Sequence, residues 1–155
     1  MTRSPPLQRP QAVLFACGQN SVRSPMAAAL FKHLFGHTAY VGSAGVRKGE
    51  LDPFAAAAME EIGIDIKAHR PITFEELEDL EGLNFDLIVT LSPEAHHKAL
   101  ELTRTLALDV EYWPTADPTA IEGSREQRIN AYRDVRDQLL QRIRTRFFPH
   151  QSGNE

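Results

Sequence analysis

Among its 155 residues this chain has a single cysteine, Cys17, one tryptophan and three tyrosines. One thiol excludes an internal disulfide and fits a reducing compartment. No apolar run approaches the ~18 residues that a membrane span needs. Positive charge is not in excess: 17 lysines and arginines face 21 aspartates and glutamates, and the formal charge of -4 gives no basic footprint for nucleic acid. Neither a Walker loop nor a dinucleotide fingerprint occurs. The opening stretch MTRSPPLQRP is broken by proline and lacks the apolar segment of a signal peptide, so it reads as a tail. A cytoplasmic chain with neither nucleic-acid nor membrane partner is the expectation.

What is present is concentrated near the N-terminus. Residues 12–25 read AVLFACGQNSVRSP, a short apolar strand running into a loop and then a helix start. Cys17 and Arg23 bound that loop as C-x5-R. Backbone amides in such a turn can face inward and cup a tetrahedral oxyanion at a helix N-terminus. A neighbouring cation and a helix N-terminus both favour the thiolate, the nucleophilic form of cysteine. The planar fork of Arg23 can hold two oxygens of the anion, which a lysine would do without that geometry. Taken alone, Cys17 reads as a small inert core residue. Arg23, the small polar Asn20 and Ser21, and the Ser24-Pro25 helix opening turn the balance toward a nucleophile.

Length and composition fit one globular domain, expected over residues 11–148 with tails at 1–10 and 149–155. Apolar periodicity alternates strands with helices, the pattern of an α/β fold. The expected architecture is a three-layer α/β/α sandwich around a central four-stranded parallel sheet. Strands are expected at residues 12–16, 37–41, 85–90 and 110–113. Helices are expected at 25–35 and 53–62, after the Thr73/Glu76 capping box, after Ser92-Pro93, and after the Ser124/Gln127 capping box. The last helix carries a stripe of Ile129, Tyr132, Val135, Leu139, Ile143 and Phe147. Its arginines, at 125, 128, 133, 136, 142, 144 and 146, read as a solvated face. In an open parallel sheet the loops beyond the carboxyl ends of the strands share a site, which groups Cys17, Ser43 and Asp117.

Cleaving a phosphate ester needs a proton for the leaving oxygen and then a base for the hydrolytic water, and one carboxyl can serve both in turn. Two Asp-Pro pairs compete. Asp52-Pro53 is explained by capping the run 54–62. Asp117-Pro118 lies before the Ser124 capping box with no helix expected at it. On the residues alone Asp117 reads equally as a general acid and as a turn aspartate. His96-His97 does not make a metal site, because adjacent helical side chains diverge by about 100°. No metal and no cofactor is expected.

The run C-x-x-N-S-x-R-S-P, followed by Gly42-Ser43-Ala44-Gly45, His69-Arg70, and Trp113 before Asp117-Pro118, resembles the low-molecular-weight protein tyrosine phosphatase family, whose superfamily includes arsenate reductases. The likeness extends from about residue 13 to about residue 147. It implies Cys17 as nucleophile, Arg23 as clamp and Asp117 as general acid and base. It implies an oxyanion cup from Gly18, Gln19, Asn20, Ser21, Val22 and Ser24. Ser43 and His69 are implied as supports that hydrogen-bond Asn20. The partners implied are a phosphorylated protein or small phosphate ester, with inorganic phosphate or other oxyanions in the loop.

Three departures stand out. Gln19 occupies a position usually held by glycine, which suggests a differently built loop. Val22 replaces a second cysteine, so reversible protection by an internal disulfide is unavailable. The pocket walls, VRKGEL at 46–51 and TAI at 119–121, lack the aromatic residues of phosphotyrosine-specific members, a loss of about 0.5 to 1.5 kcal/mol per stacking contact. The expected activity is phosphate-monoester hydrolysis through phosphocysteine, toward which Pro25 also leans. The alternatives are a single-cysteine arsenate reductase using an external thiol and a non-catalytic phosphate-binding module.

Overall fold

A computed structural model describes residues 10–148. The tails expected at 1–10 and 149–155 lie outside the described residues, apart from Pro10. The sheet is four-stranded and parallel throughout, in the order β2-β1-β3-β4, with β1 at Ala12–Cys17, β2 at Tyr40–Gly45, β3 at Leu87–Thr90 and β4 at Asp109–Tyr112. Helices α1 (Arg23–Phe35), α2 (Pro53–Glu60), α3 (Phe74–Glu81), α4 (Pro93–Leu102) and α5 (Arg125–Phe147) cover it. This is the expected α/β/α architecture.

Strand alternation assigns the layers. Val13, Phe15 and Cys17 point into a core shared with α1, α2 and α5, while Leu14 and Ala16 point into one shared with α3 and α4. The first core is closed by aromatic contacts: Phe31 meets Phe15 at 5.8 Å and Phe147 at 5.1 Å between ring centroids. All six residues of the expected α5 stripe are buried.

β2 lies later than expected, at Tyr40–Gly45 rather than 37–41. Its glycines look like loop residues but are required by packing. A Cβ at Gly42 would come 3.2 Å from Phe85, and one at Gly45 would come 2.8 Å from the Asn20 nitrogen. α1 also begins differently: Val22 sits at the N-cap position with no side-chain cap, and the Ser24 hydroxyl is turned to the Cys17 sulfur instead. The other caps follow the sequence. Asp52 accepts from the Phe54 nitrogen at 2.8 Å, Ser92 accepts from the Ala95 nitrogen at 3.2 Å, and both capping boxes form.

The α5 arginines are not simply a solvated face. Arg136 is buried, donating at 2.8 Å to the Ala58 carbonyl and at 2.9 Å to Glu61, and Arg133 forks onto Glu61 at 2.6 to 3.1 Å. Arg146 reaches Glu111 on β4 at 2.8 Å. α5 is thereby tied to α2 and to the sheet by charge-assisted bonds. Hydrogen bonding from Arg133, with Arg136 behind it, lowers the Glu61 carboxyl to about 2. A depressed carboxyl contributes stability above the ordinary glutamate range and loses it as pH falls toward the folded value. The urea midpoint is therefore expected to decline from about pH 4.3 to about pH 2, and Glu61→Gln to flatten part of that decline. Arg136→Ala leaves the Ala58 carbonyl without its donor while Arg133 still holds Glu61, and is expected to cost about 1 to 3 kcal/mol in urea denaturation at neutral pH.

Candidate active site

The loop between β1 and α1 is shaped by where its carbonyls go. The oxygens of Cys17, Gly18, Gln19 and Ser21 accept from the nitrogens of Val46, Arg47, Gly49 and Asp52 at 3.2, 2.9, 2.9 and 3.2 Å. The Asn20 oxygen takes His69 Nε2 at 2.9 Å, and that of Val22 takes the Met26 nitrogen at 3.1 Å. Every carbonyl from 17 to 22 is thus drawn away from the loop centre. Among the described residues no protein group accepts from the N–H groups of 18–22. Four of these, on Gly18, Gln19, Ser21 and Val22, belong to residues that line one concavity at the uncapped start of α1, an arrangement suited to an anion.

The sulfur sits at the base of this turn. Asn20 Oδ1 accepts from the Ile72 nitrogen at 2.9 Å, a bond only the carbonyl side of the amide can make, so Nδ2 must be the atom that donates to Ser24 Oγ at 2.8 Å. Ser24 is fully buried, and among the described residues the acceptor within reach of its proton is Cys17 Sγ, 3.0 Å away, so it donates there when the sulfur is a thiolate. The Ser24 nitrogen lies 3.4 Å from the same sulfur. Two donors aimed at one sulfur are complementary to a thiolate. Asn20 is fully buried and holds φ at 56°, the left-handed conformation that asparagine tolerates best after glycine.

Burial pushes the His69 imidazole below its ordinary value, which keeps the ring neutral at pH 7. Its Nε2 must carry the proton, because its partner is a carbonyl.

A cavity of about 150 Å³ opens over the sulfur, lined by Cys17, Gly18, Gln19, Ser21, Val22, Arg23, Arg47, Glu94, Asp117 and Thr119. Arg23 is fixed by donating to the Thr115 carbonyl at 2.9 Å, and its Nη2 lies 3.9 Å from Asp117 Oδ2. Asp117 is half-exposed, and its Oδ1 accepts from Thr119 N at 3.0 Å and Thr119 Oγ1 at 2.7 Å. Asp117 therefore does cap something, the 3-10 turn Pro118–Ala120, contrary to the helix-free loop expected there. What separates the two Asp-Pro pairs is position. Asp117 lines the cavity with Cys17, whereas Asp52 caps α2 and accepts from Tyr132 Oη at 2.7 Å. A larger cavity of about 420 Å³, between residues 114–115 and α5, contains none of the expected site residues.

Several expectations are relocated. Asn20 and Ser24 do not line the cavity; they are buried beneath it and hold the loop and the sulfur. Ser43 makes no hydrogen bond to Asn20 among the described residues, because it lies within β2 opposite Phe15 and faces a separate cavity beside His69. His69 does reach Asn20, but through its backbone oxygen. Gln19 needs no left-handed backbone, since that conformation falls at Asn20, and its side chain lies over Gly49, where a Cβ would meet Oε1 at 2.6 Å. Arg47, Glu94 and Thr119 line the cavity without having been anticipated. Arg47 and Thr119 lie in the two wall segments, while Glu94 reads as an ordinary acidic residue of a helix first turn.

The model of the family described as low molecular weight phosphotyrosine protein phosphatase matches residues 12–147, and the chain belongs to this family. A curated relative, an arsenate reductase of Shouchella clausii, is 35% identical over 136 residues, covering 85% of this chain and 91% of its own. A glutaredoxin arsenate reductase of Synechocystis is 30% identical over 132 residues, covering 84% and 92%. A solved structure of a YwlE arginine phosphatase mutant, with a phosphorylated active-site serine, superposes with a TM-score of 0.70 at 26% identity, covering 93% of this chain and 97% of that one.

Removing the Ser24 hydroxyl deletes one donor to the sulfur without touching the cavity wall. Ser24→Ala is expected to slow alkylation of Cys17 by iodoacetamide at neutral pH about tenfold, the weight of one hydrogen bond to a charged group. Inorganic phosphate should protect wild-type Cys17 from the reagent. Mass spectrometry of the labelled peptide follows both.

Proposed function

We propose that the chain is a phosphatase that hydrolyses phosphate monoesters through a phosphocysteine. The observation that supports this most is one arrangement: Gly18, Gln19, Ser21 and Val22, whose backbone N–H groups are free among the described residues, line one cavity with Cys17, Arg23 and Asp117. The Cys17 thiolate attacks phosphorus in line while the P–O bond to the leaving group breaks. Asp117, protonated, gives its proton to that oxygen, and Arg23 with the amides holds the equatorial oxygens. In the second half, Asp117 as carboxylate takes a proton from water, water oxygen bonds to phosphorus, and the P–S bond returns its electrons to Cys17. Neither half needs a redox partner. The phosphorylated active-site serine of the YwlE mutant, a phosphoryl group held covalently by a side chain, supports the same reading. A cytoplasmic location is part of this proposal, and among the described residues no helix is long and apolar enough to cross a membrane.

Arsenate reduction is the second reading, favoured by the 35% identical relative named for it. With one cysteine in the chain, the two electrons must come from an external thiol. Cys17 bonds to arsenic(V) as one arsenate oxygen leaves as water. The external thiol attacks Cys17 sulfur, and the S–As electron pair leaves with arsenite. A second external thiol then attacks the mixed disulfide, forming the external disulfide and returning Cys17. The Synechocystis relative is named for a partner of that class.

The two readings separate in paired assays. Hydrolysis of p-nitrophenyl phosphate near pH 6 without metal is expected in the wild type, with Cys17→Ser inactive and Asp117→Asn slowed by about 10²- to 10⁴-fold. Arsenate with glutathione and glutaredoxin is expected to yield little arsenite. Reversal of the two results would transfer the assignment to the reductase.

A further inference from the structure

The cavity over Cys17 is built for an anion, yet its outer wall carries a carboxylate that the proposed phosphoryl transfer does not use. Glu94 lies in the first turn of α4, and its Oε2 accepts from Arg47 Nη1. Among the described residues Oε1 receives no hydrogen bond. It sits so close to the loop that a Cβ added at Gly18 would meet it at 2.9 Å, with Arg47 Nη2 at 3.6 Å. The bare backbone of Gly18 thus admits an unpaired acceptor one residue from the nucleophile.

A lone carboxylate here would repel a phosphoryl dianion, and Arg47 offsets that repulsion by pairing with it. Asp117, on the same cavity, has its Oδ2 at 3.9 Å from Arg23, and among the described residues that oxygen receives no hydrogen bond. A group attached to the phosphoryl oxygen therefore leaves the cup between two carboxylates and a guanidinium already paired to one of them. Gln19 and Thr119 complete the rim, with no aromatic ring. We infer that Glu94 selects ligands by charge: the group borne by the phosphoryl carries a cationic hydrogen-bond donor, such as an ammonium, for Glu94 Oε1, and a second anionic group at that position is rejected. Arg47 moderates the selection by partly neutralising Glu94. This deepens the phosphatase reading of the same cavity and rests on it for the word substrate.

Charge selection is a binding property, so it is tested without turnover. Calorimetry on the full chain compares two non-hydrolysable probes, para-(aminomethyl)benzylphosphonate and para-carboxybenzylphosphonate. The wild type is expected to bind the ammonium probe about fivefold more tightly, as one exposed charge pair allows. Glu94→Gln should bring the two Kd values together, and Arg47→Gln should widen their ratio. A structural ion pair alone would make both variants move the ratio alike. Equal wild-type affinities, preference for the carboxylate probe, or a common shift in both variants would overturn the inference. Hydrolysis of p-nitrophenyl phosphate is followed separately. No turnover with the charge preference intact would overturn the phosphatase reading alone, and turnover with no preference would overturn the charge selection alone.

Discussion

The site depends on one backbone bond, the N–H of Ile72 to Asn20 Oδ1. That bond decides which way the buried amide faces, the amide decides that Ser24 accepts, and Ser24 is left to donate to the sulfur. The order of donors is set by a group that cannot reverse its role, since a main-chain nitrogen only donates. Asn20 carries a second duty in its left-handed backbone, which turns its carbonyl to His69. A residue at φ 56° is sustained only where its surroundings over-determine it. Here the surroundings are Ser24, four residues on, and His69 and Ile72 from one distant segment.

The same economy governs the cup. Segment 46–52 uses its nitrogens to draw four loop carbonyls outward, so the amides of Gly18, Gln19, Ser21 and Val22 are left for an anion on the cavity. The loop is prepared before a ligand arrives, which is how an oxyanion site contributes most. Such a cup is indifferent to whether phosphorus or arsenic lies at its centre. The difference between a hydrolase and a reductase then rests on what resolves the sulfur adduct, water assisted by a carboxylate or a second thiol. On the proposed reading, Asp117 on the cavity is the carboxylate of the water route, and the chain's one cysteine leaves the thiol route to an external partner.

Much of this was legible in the residues. The C-x5-R spacing with Ser24-Pro25 behind it marks the loop, and polar-apolar periodicity marks the layers and the buried α5 stripe. The misreadings have physical causes. β2 contains Gly42, Ser43 and Gly45, poor strand formers locally, and only contact with Phe85 and the Asn20 backbone shows why they are there. Ser24 looks like a cap because serine before proline usually is one, but the sulfur is a stronger claim on its hydroxyl. Arg136 looks solvated because its partners, Glu61 and the Ala58 carbonyl, lie some 75 to 78 residues away in sequence. Glu94 gave no signal, since an acidic residue in a helix first turn is already explained by the helix dipole.

The central claim is that Cys17 itself receives the phosphoryl group. Asp117→Asn enzyme, mixed with p-nitrophenyl phosphate and quenched in acid, offers the most direct view. A good leaving group needs little help from the acid, while release of the adduct needs the base that the variant lacks. The account predicts that mass spectrometry finds one added phosphoryl group on the peptide containing Cys17, and none after Cys17→Ser is combined with it. Nitrophenol released with Cys17 unmodified at every quench time would contradict it.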